Sequence, residues 1–79
     1  MRTLFAPTKV EKLGEPIQGT VEQTIAPNQP GRVKCRATYW PARFYHPDCQ
    51  TTVISNQRVN IVAIQGITLL VVPVDTTEE

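Results

Sequence analysis

The sequence predicts an all-β fold, a small five-stranded barrel, on three observations. Short segments alternate apolar and polar residues with the period of two that a half-buried strand requires. Prolines, glycines and asparagines stand between those segments at turn positions. The third observation is size. In a chain of 79 residues, a sheet of short strands would leave two bare edges, and closure into a barrel removes them.

The elements follow in order. Residues 1–16 are weakly patterned, with mixed charges and two prolines. They read as an N-terminal arm, a short strand, or one helical turn around Lys9 to Leu13. Gly19 to Ile25 sets Thr20, Glu22 and Thr24 against Val21, Gln23 and Ile25, a first strand. Ala26-Pro27-Asn28-Gln29-Pro30-Gly31 stacks turn formers and is a loop, since proline gives no donor to a central ladder. Arg32 to Ala37 is the second strand, with Val33, Cys35 and Ala37 inward and Arg32, Lys34 and Arg36 outward. Tyr39 to Tyr45 is the third, with Trp40, Ala42 and Phe44 on one face. His46-Pro47-Asp48 ends it, and 48–52 is a polar connection. Arg58 to Ile64 and Ile67 to Pro73 form the closing hairpin, with Gln65-Gly66 as its tight turn. Val59, Ile61 and Ala63 share one face of the fourth strand, and Ile67, Leu69 and Val71 share one face of the fifth. Val62, Leu70 and Val72 lie opposite, so both sides of this hairpin are apolar and the outer side needs a cover. The domain organisation expected is an arm at 1–16, a barrel at 17–74 and an acidic tail at 75–79, where Asp75, Glu78 and Glu79 stand.

Composition bounds what such a domain can do. A chain this short buries only about 60% of the surface that its unfolded form exposes. Apolar residues at 41% of the chain, gathered mainly between Val53 and Val74, still suffice for one core. The net charge of +1 gives no strong field for polyanions. Two cysteines without a signal peptide suggest a reducing compartment, where a structural disulfide is not expected. The longest apolar run, Ile67 to Val74, is far short of the ~20 residues of a membrane helix. A cytoplasmic location is therefore expected.

Four stretches carry a resemblance: Gly19-Thr20-Val21, Pro30-Gly31-Arg32-Val33, Trp40-Pro41-Ala42, and the run from Val59 through Gly66, Leu69, Val71 and Pro73. In this order they resemble the C-terminal soluble domain of the nodulation-efficiency protein D (NfeD-like) family. The resemblance covers roughly Gly19 to Pro73 and implies an OB-like barrel without the helix that many OB-folds place between strands three and four. It implies a non-catalytic protein–protein interaction module, with partners of the stomatin or flotillin type, acting in membrane organisation or quality control. Any membrane association would then come through the partner, since neither the membrane helices nor the protease domain of longer family members is found in these residues. The sequence departs from the family where Ala37 and Gln57 replace common glycines, and Asn56 is expected to take the left-handed turn conformation near the second.

No constellation for catalysis or metal binding stands out. His46, Asp48, Cys49 and the distant Cys35 lack the spacing of a zinc site. One histidine completes no nucleophilic triad, and no phosphate-binding glycine loop is present. No enzyme activity, cofactor or metal is expected. Two surfaces remain. The first is the apolar outer face of Val62, Leu70 and Val72, a candidate partner surface or oligomer seam unless Leu4, Phe5, Val10 and Leu13 of the arm cover it. The second is the outward face of strands two and three, where Arg32, Lys34, Arg36 and Arg43 stand among Tyr39 and Tyr45. Cations that track phosphates and rings that stack bases are how OB-type barrels hold single strands. Single-stranded nucleic acid is therefore the alternative ligand. With Trp40 read as filling the barrel, Trp40→Ala is expected to be the most damaging single change.

Overall fold

The computed structural model describes residues 9–74. Five strands, β1 (Val10–Gln23), β2 (Gly31–Cys35), β3 (Thr38–Phe44), β4 (Arg58–Gln65) and β5 (Thr68–Pro73), close into a barrel in the order β1-β2-β3-β5-β4. Every neighbouring pair is antiparallel except β3 and β5, which run parallel from Ala42↔Leu69 to Phe44↔Val71. No helix occurs among the described residues. The five-stranded barrel and its strand order are those of an OB-like Greek key.

β1 begins at Val10, inside the segment read as an arm, and runs on without a break as one 14-residue strand. It is long because it serves two partners. Its first half pairs with the end of β4 (Val10↔Gln65) and its second half with both β4 and β2 (Thr20↔Arg58, Thr20↔Lys34). The arm's Leu4 and Phe5, and the acidic tail, lie outside the described residues.

The β2–β3 hairpin departs from the expected turn. Cys35 pairs with Thr38, and Arg36 and Ala37 make a two-residue loop with φ of 54° and 64°. Positive φ at both loop positions is the type I′ hairpin, whose twist matches that of the strands and which usually takes Asn-Gly. Ala37 therefore turns the chain instead of facing the core. An L-residue in this conformation costs about 1–2 kcal/mol, partly offset when glycine loosens the unfolded chain. Ala37→Gly is expected to stabilise the barrel by ~0.5–1 kcal/mol, a rise of a few degrees in Tm. Thermal unfolding followed by circular dichroism checks this, and a lowered Tm would contradict the turn assignment.

A bulge between Ile61 and Ala63 changes the facing of β4. Ile61 points inward opposite Val71, but Ala63 pairs with Leu70 and Ile64 with Leu69. One inserted residue shifts every later side chain to the other face. Ala63 thus leaves the inner row in which the strict alternation put it, and Ile64 packs against the core instead. In the same hairpin the loop is Gly66-Ile67, between the paired Gln65 and Thr68. Gly66, with φ of 65°, supplies the positive angle, and Ile67 sits 67% exposed at the tip.

The core consists of Val21, Ile25, Val33, Ala42, Phe44, Val53, Val59, Ile61, Leu69 and Val71. Its largest fully buried side chains are β-branched, Ile25, Ile61, Val21, Val33, Val59 and Val71. Trp40 is only half-buried and packs against this cluster from the side, which corrects its reading as the barrel's filling. The two ends of the barrel differ. At the end where β1 and β3 finish, the connection after β3 folds across the opening. Ile25 and Val53 exchange backbone hydrogen bonds of 3.0 and 2.9 Å, and both side chains are buried beside Phe44. The turn at 54–57 then docks on β1, with Asn56 donating to the Val21 carbonyl and Val21 to that of Gln57, both at 2.7 Å. Asn56 takes the left-handed angle expected of it, with φ of 74°.

Candidate partner-docking surfaces

At the opposite end, open among the described residues, no connection crosses the barrel. An apolar cleft of about 220 Å³ enters it, lined by Leu13 and Ile17 of β1, Cys35 and Arg36 of the β2–β3 hairpin, Thr38 and Trp40 of β3, Ile61 and Ile64 of β4, and Leu69 of β5. The register explains why these meet. β1 starts, β2 ends, β3 starts, β4 ends and β5 starts at this end, so the inward residues of five strands converge where no connection crosses. The cleft is smaller than the ~300–1,000 Å³ typical of small-molecule sites, a size suited to a few side chains. Val10, 44% exposed, and Ile67 extend apolar surface at the same end. Among the described residues, Arg36 is its one charged lining group.

On the outer face the bulge builds a row across four strands, Lys12↔Ala63↔Leu70↔Arg43. Leu70 is 2% exposed and Ala63 fully buried, although neither belongs to the inner core cluster. Their neighbours in the row are two long basic side chains, whose methylene stems can lie over apolar surface while the charges stay in water. Lys12 Nζ stands 5.7 Å from the Tyr45 ring centroid, and Arg43 Nη2 donates to Gln65 Oε1. Leu70 is therefore covered, as an apolar outer side requires. Val62 and Val72 are half-buried. Of the arm residues weighed as a cover, Leu13 packs against the core and Val10 stays exposed, while Leu4 and Phe5 lie outside the described residues.

The basic and aromatic residues are dispersed. Arg32 and Lys34 face outward on β2 opposite Pro41 and Tyr39. Arg32 lies 4.0 Å from the Glu22 carboxylate, and Lys34 Nζ stands over the Tyr39 ring at 5.8 Å. Arg36 is in the hairpin turn at the open end, and Arg43 belongs to the outer row with Tyr45 just beyond β3. Tyr39 and Tyr45 are six residues apart along one strand direction, about 20 Å. Each ring already has a lysine over its face, so the structure does not gather Arg32, Lys34, Arg36, Tyr39, Arg43 and Tyr45 into one stacking platform.

Among the described residues, no three His, Cys, Asp or Glu side chains gather in a group able to hold a metal ion. Cys35 lines the open end, whereas Cys49 packs against the core at the covered end beside Phe44 and His46. Both thiols are free. No helix among the described residues is long and apolar enough to cross a membrane.

The sequence pattern did not reveal the open end. Leu13 and Ile17 sit in a segment interrupted by Gly14-Glu15-Pro16, where the β1–β4 register shifts between Lys12 and Ile17, and both line the cleft. The usable signal was the even spacing of Leu13 and Ile17, which places them on one face of an extended chain.

No curated protein sequence matches the chain at a significant level. Among solved structures, it is similar to the C-terminal domain of stomatin operon partner protein 1510-C from Pyrococcus horikoshii. The two are 27% identical with a TM-score of 0.64, over 78% of this chain and 89% of that one. The family model for the NfeD-like C-terminal, partner-binding domain matches residues 17–73. That span runs from Ile17 in the cleft, through both hairpins, to the end of β5, and the chain belongs to this family.

Proposed function

We propose that this barrel is a non-catalytic docking domain for a membrane protein of the stomatin type, acting on the cytoplasmic side and tied to the membrane through that partner. The observation that carries the reading is the match of a partner-binding domain to residues 17–73. The similar solved structure is a domain of a stomatin operon partner protein, and this supplies the kind of partner. The geometry is in keeping with docking, since the described residues that line the cleft are mainly apolar, among them Leu13, Ile17, Trp40, Ile64 and Leu69. Within this reading the open end takes precedence over Val62, Leu70 and Val72, because Leu70 is buried and the described residues leave the cleft accessible.

The test uses the immobilised full chain and two kinds of vesicle of equal lipid composition. One carries the stomatin-type protein of the same genome and the other carries no protein. Retention of the first alone is the expected result. Equal retention of both would remove the protein partner from the proposal. Labelled single-stranded DNA serves as the third ligand, and no retention is expected between low and moderate salt. Tight binding that weakens steeply as salt rises would turn the assignment to phosphate recognition.

A further inference from the structure

We infer that the open end of the barrel receives an extended apolar segment of the partner that carries a carboxylate beside its apolar side chains, and that Arg36 is the cation that receives this carboxylate. The inference rests on the partner-docking reading above and adds the chemistry of the docked segment.

Three observations converge on Arg36. The first is its backbone. It occupies a type I′ loop position with φ of 54°, where asparagine and glycine are the favoured residues. A long charged residue held in the left-handed region is the kind of outlier from which function is inferred. The second is its setting. Arg36 lines a cleft whose other walls include Leu13, Ile17, Trp40, Ile64 and Leu69. The third is its lack of a counter-charge. Arg36 forms no ion pair with any described residue, and the one ion pair among them joins Arg32 to Glu22.

An apolar segment that filled the cleft without an acid would strip water from the guanidinium and return nothing, which is costly. A segment with a carboxylate at the rim would restore the lost hydrogen bonds in bidentate form. The same cation thus attracts one class of segment and penalises the rest, which is how a small site gains specificity. Backbone pairing favours an extended segment. The ladder between β1 and β2 runs only from Thr20 to Gln23, so the β2-side edge of β1 ahead of Thr20 has no strand partner among the described residues. An extended peptide can add to such an edge and place alternate side chains in the adjoining cleft.

The test is selection of a displayed library of random eight-residue peptides on the full chain, with Trp40, the sole tryptophan, as the fluorescent reporter of binding. Enriched peptides are expected to combine two or more large apolar residues with Asp or Glu, and to shift Trp40 emission. Arg36→Asn is the informative variant, because asparagine suits the turn and preserves folding. It is expected to weaken the selected peptides about tenfold, the scale of one charge-assisted pair. Arg36→Lys should recover part of the loss, and Arg43→Ala on the outer row should change little. Failure to enrich peptides, enrichment without acids, equal binding by Arg36→Asn, or a Trp40 response to oleate and not to peptides would each overturn the inference. If the stomatin-type protein still binds Arg36→Asn at full strength, this inference falls and the partner reading stands. If that protein fails to bind the unaltered chain, the partner reading itself falls.

Discussion

Gly31→Ala is expected to lower the melting temperature by about 12–24 °C, the result of roughly 3 kcal/mol lost at 4–8 °C per kcal/mol in a domain this small. Gly31 opens β2 opposite Ala42, just where β1 passes after the bulge between Val21 and Gln23. A Cβ at Gly31 would lie 2.8 Å from the Thr24 carbonyl carbon and closer still to the carbonyl oxygens of Gln23 and Thr24. These are main-chain atoms, so no rotamer change can relieve the overlap. A shift of Thr24 would pull on Ile25, whose paired backbone with Val53 holds the connection over the covered end. The cost thus spreads from one methyl group to the closure of the barrel. Total stability for 79 residues is on the order of 4–12 kcal/mol, so this single change consumes a large fraction of it. Gly14→Ala is the matched control, since a Cβ there meets nothing within 4 Å. Thermal unfolding of the two variants side by side decides the matter. A Gly31→Ala protein melting within about 2 °C of the parent would mean that the β1–β2 crossing is looser than described.

The strands themselves were legible because a period of two is a direct image of one buried face. Val33 and Cys35, Ala42 and Phe44, and Leu69 and Val71 all turn inward as the alternation requires. Failures occur where local geometry breaks the alternation. Arg36-Ala37 forms a type I′ loop without Asn or Gly, so the residues themselves did not announce a turn, although Ala37 stands where the family commonly has glycine, and by alternation it looked like one more inward side chain. The bulge at Val62 leaves no mark in an unbroken apolar run, yet it carries Ala63 to the outer face. Val53 sat at the end of a polar stretch, and only its pairing with Ile25 explains its burial. The same limits governed the candidate sites. The basic face was visible as composition, but the register disperses it, and the row in which Leu70 lies depends on four strands meeting in one line. The open end joins residues from five strands and has no contiguous signature.

Ile61→Ala is expected to destabilise the barrel more than Trp40→Ala, reversing the order that side-chain size alone suggests. Ile61 is 1% exposed at the middle of β4 and is shared by the core and the floor of the cleft. It faces Ile17 across one ladder and Val71 across the other, so a truncated side chain leaves a gap that β-branched neighbours, stiff at χ1, cannot refill. Such cavities cost about 2–5 kcal/mol for Ile→Ala. Trp40 is larger but half-buried in the wall of the cleft. Its removal widens an opening that water already reaches, so the cavity contribution is reduced and the loss is mainly of contact area. Expected shifts are about 10–20 °C for Ile61→Ala and less than half of that for Trp40→Ala. The two variants also separate folding from docking. Trp40→Ala should keep the barrel folded and weaken capture of the stomatin-type partner, whereas Ile61→Ala should lose capture chiefly as its folded fraction falls. If Trp40→Ala melts lower than Ile61→Ala, the centre of the core lies at the tryptophan, and the open end is part of the packed interior instead of a surface for a partner.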